Sequence, residues 1–372
     1  MTASPAVPRR ARAEPTPPCR AGHAPNPTQL IEGHAVITYE LTPEDIARVE
    51  AVVASLTAQD EPRLTTESLL SAALAAHELP PGLRRALTDF RLREPSGALM
   101  VRGFRIDDVA LGPTPRHWRD LAPAAVSRED AYLLVVSSLM GEVFGWATQQ
   151  DGRLLHNVLP IAEHADEQLG SGSRELLWWH TEDAFHAHRA DYVSLLCLRN
   201  PDKVATTYVN VSEVRVPAAD KRLLFEEAFT IRPDNSHLPQ HNASAPPDDR
   251  TGLAFEAMAG MHEEPPPLAV LFGDPDDPYA RLDPYFMEPP ADPRHAAALD
   301  RLRAAIEAAV REVILQPGDC LILDNYRSVH GRVPFRARFD GTDRWLKRVC
   351  ITRNLRSSRA QRRGAENRVV YG

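Results

Sequence analysis

Gln316-Pro317-Gly318-Asp319-Cys320-Leu321-Ile322-Leu323-Asp324-Asn325-Tyr326-Arg327-Ser328-Val329-His330-Gly331 reads as a tight turn, a short strand and a loop that presents a histidine. Similar β-type runs lie at Tyr192 to Leu198, Thr206 to Val211, Leu268 to Phe272 and Trp345 to Thr352, separated by turn signals such as Gly273-Asp274-Pro275. Helices are expected near 218–229 and 293–314, but strands and helices do not alternate as a doubly wound sheet requires. The pattern predicts a mainly β fold with helical additions: a double-stranded β-helix (jelly roll) core flanked by helices.

Upstream the sequence is helical. Thr42-Pro43-Glu44-Asp45 supplies an N-cap, a proline at the first helical position and acidic residues in the first turn, and Ile46, Val49, Val52, Val53 and Leu56 follow at helical spacing. This predicts a helix over 43–59, a second helical stretch over 65–90 interrupted at Pro80-Pro81-Gly82, and a third over 128–143. Residues 1–28 carry Pro5, Pro8, Pro15, Pro17 and Pro18 without the apolar core of a signal peptide, and read as a disordered leader. No repeat of 20 to 50 residues occurs, so 29–356 is read as a single domain, followed by a basic, solvated or weakly ordered tail at 357–372.

The bulk numbers exclude several classes. In 372 residues there are 43 Lys and Arg against 51 Asp and Glu, and a net charge of −8 argues against binding nucleic acid. No apolar run approaches the ~20 residues that a membrane span needs. Cys19, Cys197, Cys320 and Cys350 form no C-x-x-C pair, so neither a disulfide framework nor a thiolate zinc site is indicated, and a reducing cytoplasm is expected.

In Trp178-Trp179-His180-Thr181-Glu182-Asp183 the histidine and glutamate are two apart, which on extended backbone turns both side chains to one face. His-x-Glu alone is a weak signal. With His330 it completes two histidines and a carboxylate, the facial triad of non-haem iron(II) oxygenases, which leaves coordination positions for a cosubstrate and dioxygen. Zinc hydrolases also use two histidines and a glutamate, though the chain has no H-E-x-x-H helix. Arg344 opens a strand fourteen residues after His330; an arginine entering an iron pocket suits the distal carboxylate of 2-oxoglutarate, whereas alone it would read as a surface residue. His186 and His188 have metal-like spacing but are not needed as ligands, and Trp178 and Trp179 read as core. Gly170-Ser171-Gly172-Ser173 lacks the lysine of a phosphate loop and reads as a flexible loop over the site.

Four segments together are more specific than any single motif: His180-Thr181-Glu182-Asp183-Ala184-Phe185, Arg189-Ala190-Asp191-Tyr192, Leu198-Arg199-Asn200-Pro201-Asp202 and Asn325 through Arg332. They resemble the clavaminate synthase-like Fe(II)/2-oxoglutarate-dependent oxygenases, and within these the hydroxylases of free amino acids, particularly L-arginine β-hydroxylases. The resemblance runs from about 130 to 356. It implies iron held by His180, Glu182 and His330, 2-oxoglutarate bound by Arg344 with Thr207 (Thr206 next), and dioxygen as the oxidant. It also implies an α-carboxylate held by Arg348 and an amine meeting Glu182 and Gln149 or Gln150. Asp283 and Asp234 would face a cationic side chain. Arginine enzymes of this kind place two aspartates two apart where this chain has Arg281 and Asp283. The expected activity is hydroxylation at C3 or C4 of L-arginine or a related basic amino acid, in secondary-metabolite biosynthesis. Citrulline, lysine or asparagine as substrate, or desaturation, are alternatives. A catalytically silent binding protein would have no reason to keep both Arg344 and Arg348, and a serine hydrolase would need a G-x-S-x-G elbow that is absent.

Overall fold

Helix Pro43–Leu56 begins where Thr42 and Asp45 cap each other, each side chain accepting the other's backbone N–H at 3.1 Å. The computed structural model describes residues 36–58, 63–122, 125–242 and 248–372. The leader expected at 1–28 lies outside them. The second helical stretch splits at its prolines into Thr66–Ala75 and Pro81–Arg93. The third, Arg128–Ser138, stops short of 143 because the chain must turn at Gly141, where a Cβ would stand 2.4 Å from the Thr352 carbonyl. Ala218–Leu224 and Pro293–Ala309 form as helices, and Asp249–Glu263 adds one that the sequence reading did not single out. The end of the expected 293–314 helix is instead a strand.

Fourteen strands run among the described residues: β1 (Ile37–Glu40), β2 (Ala98–Arg102), β3 (Glu142–Trp146), β4 (His156–Val158), β5 (Leu177–His180), β6 (Tyr192–Arg199), β7 (Thr206–Asn210), β8 (Leu271–Gly273), β9 (Pro278–Ala280), β10 (Arg311–Val313), β11 (Cys320–Asp324), β12 (Ser328–Arg332), β13 (Trp345–Thr352) and β14 (Val369–Val370). A large sheet is ordered β1-β2-β11-β6-β13-β3-β14, with β4 also on β13; a four-stranded sheet is ordered β10-β7-β12-β5; β8 and β9 form a hairpin.

Period-two alternation along the large sheet sorts its side chains into two layers. Leu99, Tyr192, Leu196, Ile322, Val349 and Ile351 face the front helices, packing with Val49, Leu83, Leu87 and Leu133. Met100, Val193, Leu195, Leu321, Leu323 and Leu346 face the small sheet and meet Tyr208 of β7. On the far side of the small sheet, Trp179, Val209 and Val329 pack beneath Leu224, Met258, Leu299 and Leu302 of the later helices. The molecule is therefore layered as helices, large sheet, small sheet, helices, and polar side chains that point between the sheets are buried with them.

The arginine-rich end departs from the solvated tail expected for it. Arg362 is 3% exposed and donates to the carbonyls of Leu355, Gly364, Ala365 and Asn367, while β14 pairs in parallel with β3. One planar guanidinium saturating several carbonyls folds a segment whose composition reads as solvated. No helix among the described residues is long and apolar enough to cross a membrane.

Candidate active site

β12 runs antiparallel beside β5, and its register sets His330 directly opposite His180. His330 is thus on a strand, not in the loop that the sequence suggested, and the two rings stand 4.8 Å apart. Glu182 follows as the chain leaves β5, its carboxylate 3.5 Å from His330 Nε2 and 3.9 Å from His180 Nε2. Asn325 fixes that exit: its side chain accepts from Glu182 N at 2.8 Å and donates to Glu182 O at 3.0 Å and Ala190 O at 2.9 Å. Nothing in the sequence marks Asn325 as this clamp, because an asparagine in a turn is too common to signal one.

The donor set suits a divalent ion. One donor atom from each of His180, Glu182 and His330 lies within 4.8 Å of the others. His180 Nδ1 is 2.8 Å from the Trp178 carbonyl, which orients Nδ1–H there and leaves Nε2 for a metal. Burial opposes a charge on Glu182, but Arg348, His330 and His180 hold it below the ordinary carboxylate range. Burial keeps His330 neutral, with a free lone pair. Despite its burial, His180 is raised by Asp283 and Glu182, a field that equally favours a bound cation.

The packing of β5 against β12 leaves no room for a side chain at position 331. A Cβ on Gly331 would stand 2.4 Å from Leu177 O and 2.9 Å from Thr207 Oγ1. Gly331→Ala is expected to push β5 and β12 apart at the metal pair, costing about 1–3 kcal/mol of stability and most of the iron affinity. Thermal melts and iron titration would check it; an unaltered iron affinity would mean the strands can spread without disturbing the histidines.

Arg348 lies on β13 and Arg344 immediately precedes its first residue, and both line the cleft. Arg344 is 6% exposed, its Nη2 donates to Thr206 Oγ1 at 3.2 Å, and its Nε has no partner among the described residues. Burial lowers its guanidinium to about 10. Thr206 lines the cleft and Thr207 does not. This corrects the preference for Thr207: Tyr208 pairs with inward-facing His330, so Thr206 shares the inner face and Thr207 the outer. Arg348 reaches Glu182 Oε1, Gln149 Oε1 at 3.3 Å and His156 Nδ1 at 2.7 Å. Burial and Arg348 lower His156 to about 3, so it is neutral and accepts that bond.

Of the two glutamines, only Gln149 meets Arg348. Gln150 has φ +43° and turns back to pair with the backbone of Asn157 at 3.0 Å in both directions. Asp234 and Asp283 both line the cleft with the triad, Arg344 and Arg348. Burial raises Asp283 to about 6, opposed by His180 and aided by Asp234. Arg281 points elsewhere, donating to the carbonyls of Ala184 and Phe185, so it places no positive charge in the cleft lining. Trp179 is core as expected, but Trp178 lines the cleft, because it shares the face of His180. Gly170 also lines the cleft, whereas His186 packs against Trp146 with ring centroids 4.5 Å apart.

This geometry has close counterparts. The chain is 44% identical over 341 residues to an enduracididine beta-hydroxylase of Streptomyces hygroscopicus, covering 90% of this chain and 100% of the relative. It is 46% identical over 339 residues to an L-ornithine/L-arginine 3-hydroxylase of Catenulispora acidiphila, covering 89% and 98%. The crystal structure of the non-heme iron oxygenase OrfP in complex with Fe, succinate and (3S)-hydroxy-L-Arg superposes with a TM-score of 0.85 at 43% identity, covering 90% of this chain and 99% of that one. A model of the taurine catabolism dioxygenase TauD/TfdA family matches residues 119–350. With its two histidines and glutamate gathered between the sheets, the chain belongs to the TauD/TfdA dioxygenase family.

Proposed function

We propose that the chain is an Fe(II)- and 2-oxoglutarate-dependent hydroxylase of free L-arginine or a close cationic relative, acting at C3, in the cytoplasm and in secondary-metabolite biosynthesis. The two facing sheets are read as the halves of a double-stranded β-helix, or jelly roll. The observation that carries the reading is the set of charges gathered in one cleft: Arg344 with no carboxylate partner among the described residues, the triad, Arg348 against Glu182, and the carboxylates Asp234 and Asp283. A dicarboxylate and a cationic amino acid complement that set.

His180, Glu182 and His330 would hold the iron, and Arg344 with Thr206 the far carboxylate of 2-oxoglutarate. Bound iron, with 2-oxoglutarate as the reductant, supplies the oxidation of a C–H bond by dioxygen, releasing succinate and carbon dioxide. The chain's own work is to select the carbon. Arg348, anchored beside Glu182, takes the α-carboxylate, so the carbon that reaches the metal is only a bond or two from the carboxylate's own α-carbon. Gln149 and Glu182 receive the amine. Asp234 and Asp283 receive the cationic end through charge-assisted hydrogen bonds, and Arg281 is turned away to the carbonyls of Ala184 and Phe185. OrfP crystallised with Fe and alpha-ketoglutaric acid, at 41% identity, and the 3-hydroxylase relative support this reading.

Purified protein supplied with iron(II), 2-oxoglutarate and single amino acids is expected to release succinate most readily with L-arginine, with one oxygen added at C3 by mass spectrometry and NMR. Succinate release with none of the standard amino acids would overturn the assignment. Asp234→Asn and Asp283→Asn are each expected to raise the KM for arginine roughly 10- to 150-fold, the worth of one hydrogen bond to a charge, while leaving the KM for 2-oxoglutarate in place. Equal KM values for arginine in wild type and both variants would remove these aspartates from the substrate site.

A further inference from the structure

Asp183 follows the metal-side glutamate and lines the same cleft, one of its carboxylate oxygens within 4.8 Å of one of Glu182's. Its φ is +49°, a left-handed backbone conformation. The side chain is completely buried, and among the described residues no lysine or arginine is hydrogen-bonded to it. It is surrounded by N–H groups: Trp146 Nε1 at 2.6 Å, Gln149 Nε2 at 3.2 Å and His237 Nε2 at 3.1 Å. Thr148 Oγ1 lies 2.7 Å from His237 Nδ1, and a hydroxyl donating there leaves Nε2–H to face Asp183. Packing alone would be served as well by an apolar residue, so a buried carboxylate with this many donors signals orientation.

What it orients are two walls of the substrate cleft. Gln149 Nε2 is spent on Asp183 and on Ser236 Oγ at 2.7 Å, which forces its Oε1 toward Arg348. His237 and Ser236 belong to the short turn that begins at Asp234, whose Oδ1 accepts from Ser236 N at 2.8 Å. Donor atoms of Asp183, Asp234 and His237 fall within 4.8 Å of one another. The carboxylates of Asp234 and Asp183 are thus seated together, and both residues line the cleft.

We propose that Asp183 is a positioning residue that couples the Asp234–His237 turn to the Gln149–Arg348 clamp, so that the two ends of the amino acid are gripped in fixed register and a cationic side chain is preferred. The inference rests on the amino-acid reading of the cleft. Thr148 and His237 are the outer part of the same device.

Asp183→Asn keeps the size but sets an amide N–H against N–H donors. Calorimetry under anaerobic conditions is expected to show the Kd of L-arginine rising about tenfold, that of neutral L-citrulline changing less, and that of 2-oxoglutarate unmoved. Thr148→Val, farther from the iron, should move the arginine Kd in the same direction by about threefold, and it decides the matter if Asp183→Asn does not fold. In turnover the change should appear in the KM for arginine rather than in kcat. Wild-type succinate release with arginine is measured first, and its absence would count against the proposed function. Arginine turnover in the wild type with unmoved arginine Kd in the folded variants, or with the 2-oxoglutarate Kd moving instead, would overturn the coupling alone.

Discussion

His330→Ala is expected to abolish iron-dependent turnover. The residue sits on β12 directly opposite His180, 7% exposed, and its Nε2 is 3.5 Å from the Glu182 carboxylate, nearer than that of His180 at 3.9 Å. Alanine would leave one imidazole and one carboxylate, a set with too few donors to compete with water for a divalent ion. Outer partners of metal ligands cost roughly 10- to 100-fold when removed, and a ligand itself should cost more than that. Iron titration of the variant should show no stoichiometric site, and succinate release with arginine should fall below detection. Because burial holds His330 neutral, its loss removes no charge from the core, and the variant should still fold. Full activity in His330→Ala would sink the metal assignment, whatever happened to stability.

His180 and Glu182 are legible together because they are two apart, and His330 closes the turn, strand and loop pattern that opens at Pro317-Gly318, although it stands on a strand. Arg344 is legible as the arginine that opens the strand after His330, whereas Arg348 enters only through the family resemblance. Thr206 was ranked second because strand parity depends on register. Only the pairing of Tyr208 with His330 shows which threonine faces inward, and both Thr206 and Thr207 have the same propensity. Gln149 and Gln150 could not be separated because the positive φ of Gln150 reverses the direction that regular backbone would give it.

Short strands were also missed. Ala98–Arg102 is a nearly continuous apolar run beside a helix, without the alternation that marks a half-buried strand, because both of its faces are covered. Arg311–Val313 looks like the end of a polar helix and becomes a strand only because β7 offers it an edge. Arg362 illustrates the opposite limit: composition reads the end of the chain as solvated, while four carbonyls around one guanidinium bury it. These are tertiary decisions, made by partners far away in sequence.

Arg344→Met should separate ligand binding from folding. The guanidinium lies buried between the sheets with one hydroxyl for company and an unpartnered Nε, an arrangement that burial alone makes unfavourable. Methionine fills a similar volume without the charge, so the ligand-free variant is expected to melt no lower than the wild type, and replacements of this kind can stabilise by about 1–4 kcal/mol. The KM for 2-oxoglutarate should rise instead. Losing one partner of a buried charge pair costs about 2–5 kcal/mol, on the order of 30-fold to several thousand-fold in affinity. The Kd for arginine, held on the other side of the triad, should move little. Titration of 2-oxoglutarate at saturating iron and amino acid, set beside a thermal melt of the ligand-free proteins, reads both quantities. An unchanged KM for 2-oxoglutarate would mean that its carboxylate is held elsewhere. A large loss of stability would mean that Arg344 is a structural residue of the sheet. The opposed signs, affinity falling while stability holds or rises, are what distinguish a cation kept for a ligand from one kept for the fold.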